Sequence, residues 1–581
     1  MRLRALYVLP PALLLLGFAW SLADIRAPLP TGDEAMSVMI VQSLWHDHDL
    51  AYREADLQRA GRIWDGGPAG LTLFTDDGGK TLRYGRPLAY PLAALPFYAL
   101  FGLRGIVLFN MALFLAMAGA ALWLLRDETG LAGLFVCGFF FASAAFVYAV
   151  RREPEVFLMA CVFFPLLAWR SLRQSPQTGR THLALLAGAG LLLGAVLVSS
   201  PWLAVLGLPV VIDLAARRRW RSALAVLAGA VLAAGLLALL QRAGTGEWSA
   251  FGGAQRRTFE AEFPLESPRD LWQGYRGEAG ETPQDLAAAL KLVPRNLWYV
   301  LAGRYTGLLP YFPFALFAAG LYLRGPKERS RHLVLAALGV YVLGMLLLHP
   351  HDFAGGAGFL GSRYLAVAYP AFLFLPGRIA ARRSLALPYA AAGLWTAAAL
   401  AGSLPRLDPD VVPEMHTTSP AFQRLPLELT LLPDDHLPGF FTQTWGNAVW
   451  IEPRRSFFAE ERHPHGVWVR GSTRSEVIVV SPTPISHLAF TAYSLSADNE
   501  LILTSGTDRL RIRFDTEGKR NGTPADLAVE PVARNLGFFP RDFFYRFTLE
   551  TTGGLVPARS DPKSRDPRDL GVFLDFTGEG Y

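Results

Sequence analysis

The sequence predicts a polytopic α-helical membrane protein of about 11 transmembrane helices, with an all-β, sandwich-like domain at the C-terminal end. Three observations predict it. Of 581 residues, 52% are hydrophobic and only 18% are charged, with a mean hydropathy of +0.27. Soluble globular chains carry about 45–50% apolar and about 25% charged residues. The apolar excess is confined to runs between residues 5 and 404, and beyond Leu404 short alternating segments replace them. A soluble enzyme, a disordered chain and a disulfide scaffold are thereby excluded. The two cysteines, Cys137 and Cys161, both lie in apolar runs, so they offer neither a disulfide framework nor a thiolate zinc site.

A hydrocarbon core about 30 Å thick takes about 20 apolar residues per helix, fewer where the ends snorkel. Spans are expected over Leu6–Leu22, Leu103–Leu125, Leu131–Val150, Val156–Trp169, Leu183–Val198 and Trp202–Ile212. Ala223–Leu240, Leu308–Leu323, Leu333–Leu348, Tyr364–Leu375 and Leu385–Leu400 complete the series. Positive charge marks the N-terminus (Arg2, Arg4) and then every second loop, from Arg126 through Arg170, Arg173 and Arg180 to Arg217–Arg221. The alternation continues with Arg324–Arg331 and ends with Arg378, Arg382 and Arg383. By the positive-inside rule the N-terminus is cytoplasmic, and an odd number of spans puts the C-terminal domain outside the cytoplasm.

This orientation accounts for the net charge of +6 and the pI near 9.3 without a nucleic-acid partner. Ala-, Leu- and Arg-rich usage suits a high-GC bacterium and hence a multi-pass protein of its inner (plasma) membrane. The first run, with its basic start and Ser-Leu-Ala ending at Ala23, also fits a secretory signal. Retention as an anchor is the expectation, because the loop behind it carries the main candidate residues. Pro87–Phe101 and Pro283–Tyr299 contain prolines that disfavour a spanning helix and read as interfacial helices.

The outer face gathers the unusual polar residues. The loop from about residue 23 to 84 opens with Gly32-Asp33-Glu34, followed by an apolar helix from Met36 to Trp45. Asp33 suits a helix start, either as a functional carboxylate or as an N-cap. The next outer turn is Arg151-Arg152-Glu153-Pro154-Glu155, four charges that need pairing or water. Arg304 follows the long outer loop 242–300. The last short outer loop contains His351, Asp352, Gly355 and Gly356 and leads to Arg363 and Tyr364. Arginine holds phosphate through forked hydrogen bonds. Acids beside cations at one membrane surface suit chemistry on a phosphate-bearing lipid. Asp47-His48-Asp49 spells a metal-diphosphate motif, but no nucleotide-binding strand-turn-helix unit accompanies it, so these read as loop polar groups.

Five segments together resemble the GT-C class of membrane glycosyltransferases, most nearly the bacterial relatives of protein O-mannosyltransferases and the lipid A aminoarabinose transferases. They are Gly32-Asp33-Glu34 with the Ser43–Leu50 stretch, Arg86-Pro87-Leu88-Ala89-Tyr90, Tyr148–Phe157, Gly307–Pro313, and Gly355-Gly356 with Phe359, Gly361, Arg363, Tyr364 and Leu365. The resemblance implies a GT-C-type transmembrane domain over 1–404, a polyprenyl-phosphate sugar donor, an external site and inversion at the anomeric carbon. It puts the general base on Asp33. In one register the family's second acid falls on Arg152, with Glu153 and Glu155 as neighbours. Glu34, Arg151, Arg152, Glu153, Glu155, Arg304, His351, Asp352, Arg363 and Tyr364 are expected to hold substrate. The acceptor is a glycan, a lipid or a protein, and a divalent metal ion is an open possibility. The alternatives are a transporter or flippase of lipid-linked saccharides, or a noncatalytic scaffold of the same fold.

Residues 405–438 are rich in Pro and polar residues and read as a linker. From 439 to 581, strand-like runs recur at about ten-residue spacing between Gly, Pro, Asn and Asp, the pattern of an antiparallel sandwich. Trp445, Trp450 and Trp468 are either core aromatics or stacking groups for a glycan.

Overall fold

The computed structural model describes residues 12, 32–63, 68, 70–75, 80–125, 131–173, 179–251, 256–259, 286–356, 360–376, 385–401, 420–432, 440–445, 448–453, 456–458, 466–496, 498–514 and 522–575. The expected anchor Leu6–Leu22 lies almost wholly outside them. The chain divides into two compact units. The first comprises residues 1–289, 307–348 and 360–407, and the second 290–306, 349–359 and 408–581.

Five helices of the first unit are long and apolar enough to cross a membrane: Leu103–Leu124, Glu155–Leu172, Arg180–Ser199, Trp220–Thr245 and Arg329–Leu348. Trp220–Thr245 exposes Leu224, Leu227, Val231, Leu232, Leu236 and Leu239, a composition that only lipid can cover at no cost in solubility. Its other face meets Arg180–Ser199 through glycines. A Cβ on Gly190 would lie 2.1 Å from the Val226 carbonyl, and one on Gly194 2.3 Å from that of Ala230. Small residues four apart let helix backbones approach where no hydrophobic force drives them together.

Other expected spans break into shorter pieces. Leu131–Val150 becomes Leu131–Phe141 and Ala145–Tyr148, because the Ala144 N–H donates to the Tyr311 carbonyl instead of continuing the helix (2.8 Å). Leu308–Leu323 divides at Phe312, whose successor Pro313 disfavours helical backbone before it. Trp202–Ile212 is a 3-10 turn over Pro201–Gly207 followed by Leu208–Ala216. Tyr364–Leu375 is a helix, Arg363–Ala368, then a 3-10 turn with Pro370 at its start. Among the described residues five helices reach spanning length, and shorter apolar helices lie at Ala89–Phe101, Leu131–Phe141, Pro201–Ala216 and Pro313–Arg324.

Pro87–Phe101 is helical over Ala89–Phe101 and packs on the Gly32–His46 helix, where His46 Nε2 lies 3.1 Å from the Tyr98 hydroxyl. The two long loops 23–84 and 242–300 meet in one small antiparallel sheet. Strands β1 (Ala51–Tyr52), β2 (Leu71–Phe74) and β3 (Leu82–Tyr84) come from the first loop, and β4 (Arg256–Phe259) from the second. Their order is β1-β3-β2-β4.

The second unit holds twelve strands among the described residues. They are β5 (Phe440–Trp445), β6 (Ala448–Pro453), β7 (Phe457–Phe458), β8 (Gly466–Arg470), β9 (Arg474–Ser481), β10 (His487–Ser494), β11 (Glu500–Ser505), β12 (Asp508–Arg513), β13 (Thr523–Ala528), β14 (Ala533–Arg534), β15 (Phe543–Thr551) and β16 (Leu570–Asp575). They form two antiparallel sheets: β13-β10-β16-β8-β7, and β12-β11-β15-β9-β6-β5 with β14 beside β15. One hydrophobic cluster takes Val467, Val469, Phe490 and Val572 from the first sheet and Trp450, Val477, Leu503 and Phe547 from the second. Trp450 is thus a core residue.

Residues 420–432, expected as linker, are packed into this unit. Glu428 is wholly buried and accepts the N–H groups of Tyr305 and Thr306, both at 2.8 Å. The Thr430 hydroxyl donates to Asn296 at 2.7 Å. Proline-rich sequence stays ordered here because its polar backbone finds buried partners.

Candidate functional site

Asp33 stands in the first turn of the Gly32–His46 helix, which the chain enters through Gly32 at φ +56°. It is not an N-cap, because both carboxylate oxygens face arginines. Oδ2 pairs with Arg363, and Oδ1 lies 2.7 Å from an Nη of Arg86. Arg363 opens the helix Arg363–Ala368, capped by Ser362, which accepts the Leu365 N–H at 3.2 Å. Gly361 turns the chain into this helix at φ +72°, and a Cβ there would lie 2.7 Å from the Phe312 ring. The guanidinium of Arg363 pairs through Nη1 with Asp33 and donates through Nε to Glu155 Oε1. One arginine therefore bridges two acids from distant segments.

The cluster is graded from buried to open. Glu155 is 1% exposed, Asp33 16%, Arg363 18% and Arg86 32%. Glu155 begins the membrane-length helix Glu155–Leu172, so the cluster sits at a helix end and not in its apolar middle. Around it, Arg152 lies 3.4 Å from Glu34, and Arg151 3.6 Å from Glu153. Tyr364 is half-buried, and its carbonyl accepts the Tyr341 hydroxyl at 2.9 Å.

Burial alone would raise the Asp33 carboxyl, but the charges of Arg363 and Arg86, with the Arg363 hydrogen bond and Arg256, hold it down at about 2. Glu153 goes the other way. Burial dominates and the nearby Glu155 adds to it, so Arg151 does not prevent a carboxyl well above the usual range. Two acids of one cluster are thus pushed apart, the arrangement that separates an ionised from a protonated role.

Arg304, His351 and Asp352, expected to hold substrate, belong to the second unit and are engaged there. Arg304 is wholly buried. It pairs with Glu476 and lies 3.2 Å from the Gln423 carbonyl. A guanidinium so enclosed is a fastening and is not presented to a substrate, which corrects the expectation for that residue. His351 Nδ1 lies 3.1 Å from the Thr430 carbonyl, and Asp352 Oδ1 accepts the Gly356 N–H at 2.9 Å.

Three residues absent from the expected site belong to it. Arg86 follows β3, and Arg256 on β4 donates to the Gly85 carbonyl at 3.2 Å, so the small sheet delivers both cations. Asn110 is fully buried in Leu103–Leu124. Its amide nitrogen lies 2.8 and 2.9 Å from the carbonyls of Arg151 and Glu153 and 3.0 Å from the Tyr90 hydroxyl. A lone amide in an apolar run was the available signal.

Among the described residues no three His, Cys, Asp or Glu side chains group as metal ligands. A divalent ion would compete with Arg363 for Asp33 and Glu155, so the donor set fits an arginine-clamped anion site better than a metal centre. Asp47 pairs with Arg59 at 2.6 Å and Asp49 with Arg53 at 2.9 Å.

No protein-family model matches the chain, and no curated protein matches it. Among solved structures, the chain is similar to the crystal structure of ArnT from Cupriavidus metallidurans bound to undecaprenyl phosphate. The match has 17% identity and a TM-score of 0.39 and covers 70% of this chain and 71% of that one. The crystal structure of that ArnT in the apo state is similar at 16% identity and a TM-score of 0.39, over 68% and 65% of the two chains.

Proposed function

We propose that this chain is an inverting glycosyltransferase that moves a sugar from a polyprenyl-phosphate donor to an acceptor at the outer face of a bacterial inner membrane, with Asp33 as general base. The observation that carries the reading is the Asp33–Arg363–Glu155 bridge with Arg86 at its open side, at the end of a membrane-length helix. The motif resemblance supplies the donor class.

In such a transfer the acceptor oxygen attacks the anomeric carbon from the face opposite the phosphate. The carbon–oxygen bond to phosphate breaks and its electron pair leaves with the lipid phosphate. The acceptor proton passes to a carboxylate. The leaving phosphate gains negative charge, which forked arginine donors stabilise in a site partly shielded from water. Arg86 and Arg363 are those donors.

A carboxylate held at about 2 is a poor proton acceptor, since catalytic bases work best near the ambient pH. A lipid phosphate that draws Arg86 and Arg363 to itself relieves that hold. Asp33 then becomes basic only when the donor is seated. Glu153, its carboxyl raised, supplies a protonated group beside the site, and Asn110 holds the turn that carries it.

The test is transfer of radiolabelled sugar from a set of polyprenyl-phosphate donors to membrane acceptors by wild type and Asp33→Asn. Transfer lost in a variant that inserts and folds normally is expected. Equal transfer by both removes Asp33 from the chemistry. Donor translocation across sealed vesicles without transfer favours the transporter alternative, and neither activity favours the scaffold.

A further inference from the structure

We propose that the arginine-rich ends of helices Arg180–Ser199 and Trp220–Thr245 together form a binding site for a phosphate group, separate from the Asp33 cluster and independent of the transfer reaction. The two helices run in the same direction, because Gly190 packs on the Val226 carbonyl and Gly194 on that of Ala230. About two turns back along that register, His182 stands level with Arg218, where the chain turns into the second helix at φ +59°. Both helices therefore start at one place. Their dipoles add there, each equivalent to roughly half a positive charge.

The turn between them is fastened by one of its arginines only. Asp213 is wholly buried and accepts Trp169 Nε1 at 3.1 Å and Arg217 Nε at 2.9 Å. Among the described residues no carboxylate pairs with Arg180, Arg218, Arg219 or Arg221, and Arg219 reaches the Leu172 carbonyl at 3.5 Å. Leu172 ends the membrane-length helix that Glu155 begins, so about 27 Å of helix separates this place from the Asp33 cluster. Neither helix start has a side-chain cap. The N–H groups of Arg180, Thr181 and His182, and those of Trp220 and Arg221, are thus left without a partner inside their helices.

His182 is the residue that calls for a ligand. It is 6% exposed, and its Nδ1 has no hydrogen-bond partner among the described residues. It continues the buried stripe of Leu186, Gly190 and Gly194 that faces the second helix, and a helical side chain leans towards the N-terminal end. The ring is therefore directed at the common start of the two helices, where the charge of Arg219 acts on it. A buried polar atom left unpartnered is costly, and an anion oxygen between the helix starts would satisfy it.

Guanidinium forks, helix-start amides and a ring nitrogen converging on one point match the several acceptor oxygens of a phosphate. The surroundings say where such a phosphate comes from. Trp220 is exposed at the helix start, the place a tryptophan takes at headgroup depth, and Leu224, Leu227 and Val231 continue from it along the exposed face of the same helix. An anionic phospholipid uses both parts, its phosphate at the helix starts and its chains along that face.

The test is native mass spectrometry of the full-length protein, released from detergent after titration with phosphatidylglycerol, phosphatidylethanolamine or inorganic phosphate. One tightly held phosphatidylglycerol per chain is expected, weakened tenfold or more by Arg180→Gln/Arg221→Gln and by a smaller factor by His182→Phe, which keeps a buried ring. Arg324→Gln/Arg329→Gln removes the same charge from another basic loop and should leave binding unchanged. Retention of phosphatidylglycerol assigns the site to a lipid headgroup, and retention of inorganic phosphate alone assigns it to a soluble phosphate. The proposal is overturned if neither is retained by a protein whose circular dichroism is native, or if phosphatidylethanolamine is held equally well. It is also overturned if the Arg324 and Arg329 pair weakens binding as much as the Arg180 and Arg221 pair, which would make retention a matter of net charge.

Discussion

Two regions of this chain solve the same problem, a carboxylate beside arginines, with opposite results. In the second unit Glu476 lies between Arg304 and Arg546, and Arg304 is entirely buried. In the first unit Asp33 lies between Arg363 and Arg86, and both arginines remain partly open to water. In the second unit the arginine that joins the segments, Arg304, is enclosed, and only Arg546 at its side reaches water, so Arg304 can only hold parts together. The first unit leaves room for another anion to compete for the same guanidinium groups. Residue types alone do not distinguish a fastening from a site; the exposure of the arginine that joins the segments does, 0% for Arg304 and 18% for Arg363.

The comparison breaks first at Asp33. Replacing it with Asn keeps shape and removes the charge, so transfer should fall by about 10²–10⁴-fold, the usual worth of a general base, with a modest fall in thermal midpoint from the lost ion pairs. Arg304→Met should do the reverse. It leaves the buried Glu476 with Arg546 as its remaining arginine and should cost up to about 3 kcal/mol, read as a lowered midpoint and faster amide exchange in the β-rich unit. The double variant Arg304→Met/Glu476→Met should recover most of that loss. If it does not, the pair has a role beyond fastening.

A smaller effect is expected from pH. Asp33 has a folded-state value near 2 against 3.8 for the free group, so its contribution is present above about pH 3.8 and is lost as pH falls towards 2. The difference is on the order of 2 kcal/mol. Glu153 has the opposite sign. Its raised value means that the folded state loses stability as pH rises above 4.5, so Glu153→Gln should raise the thermal midpoint at pH 7 and leave it unchanged near pH 4. Last, Arg86→Gln should raise the donor KM and lower kcat by about tenfold each, the pattern of a group that holds the donor and stabilises its leaving phosphate. A change confined to KM would make Arg86 a donor-binding group alone.

Much of the fold was legible in the sequence. Each of the five long helices coincides with an expected apolar run, because lipid demands length and composition and little else. The strands beyond residue 439 were legible from alternation. The helix breaks at Phe312 and Pro370 were not placed, since an apolar run reads alike whether or not a proline divides it. Asp33, Glu155 and Arg363 were legible as charges at the ends of apolar runs. That Arg363 joins the other two was not, because their pairing crosses 208 residues between Glu155 and Arg363. Arg304 was misassigned for the same reason: its partner Glu476 is 172 residues away. Arg256 went unnoticed because strands of two to four residues have no period to read.

The small sheet that unites the two long loops sets an order on biosynthesis. Arg256 reaches the Gly85 carbonyl from 171 residues downstream, and Arg363 arrives later still. At about 5–20 residues per second, the 208 residues from Glu155 to Arg363 take the ribosome on the order of tens of seconds. Over that interval a nascent chain carries its acids without their clamp, however well its early helices have inserted. The site is therefore completed late in synthesis, and a chain that stops short of Arg363 holds the carboxylates of Asp33 and Glu155 with nothing to bridge them.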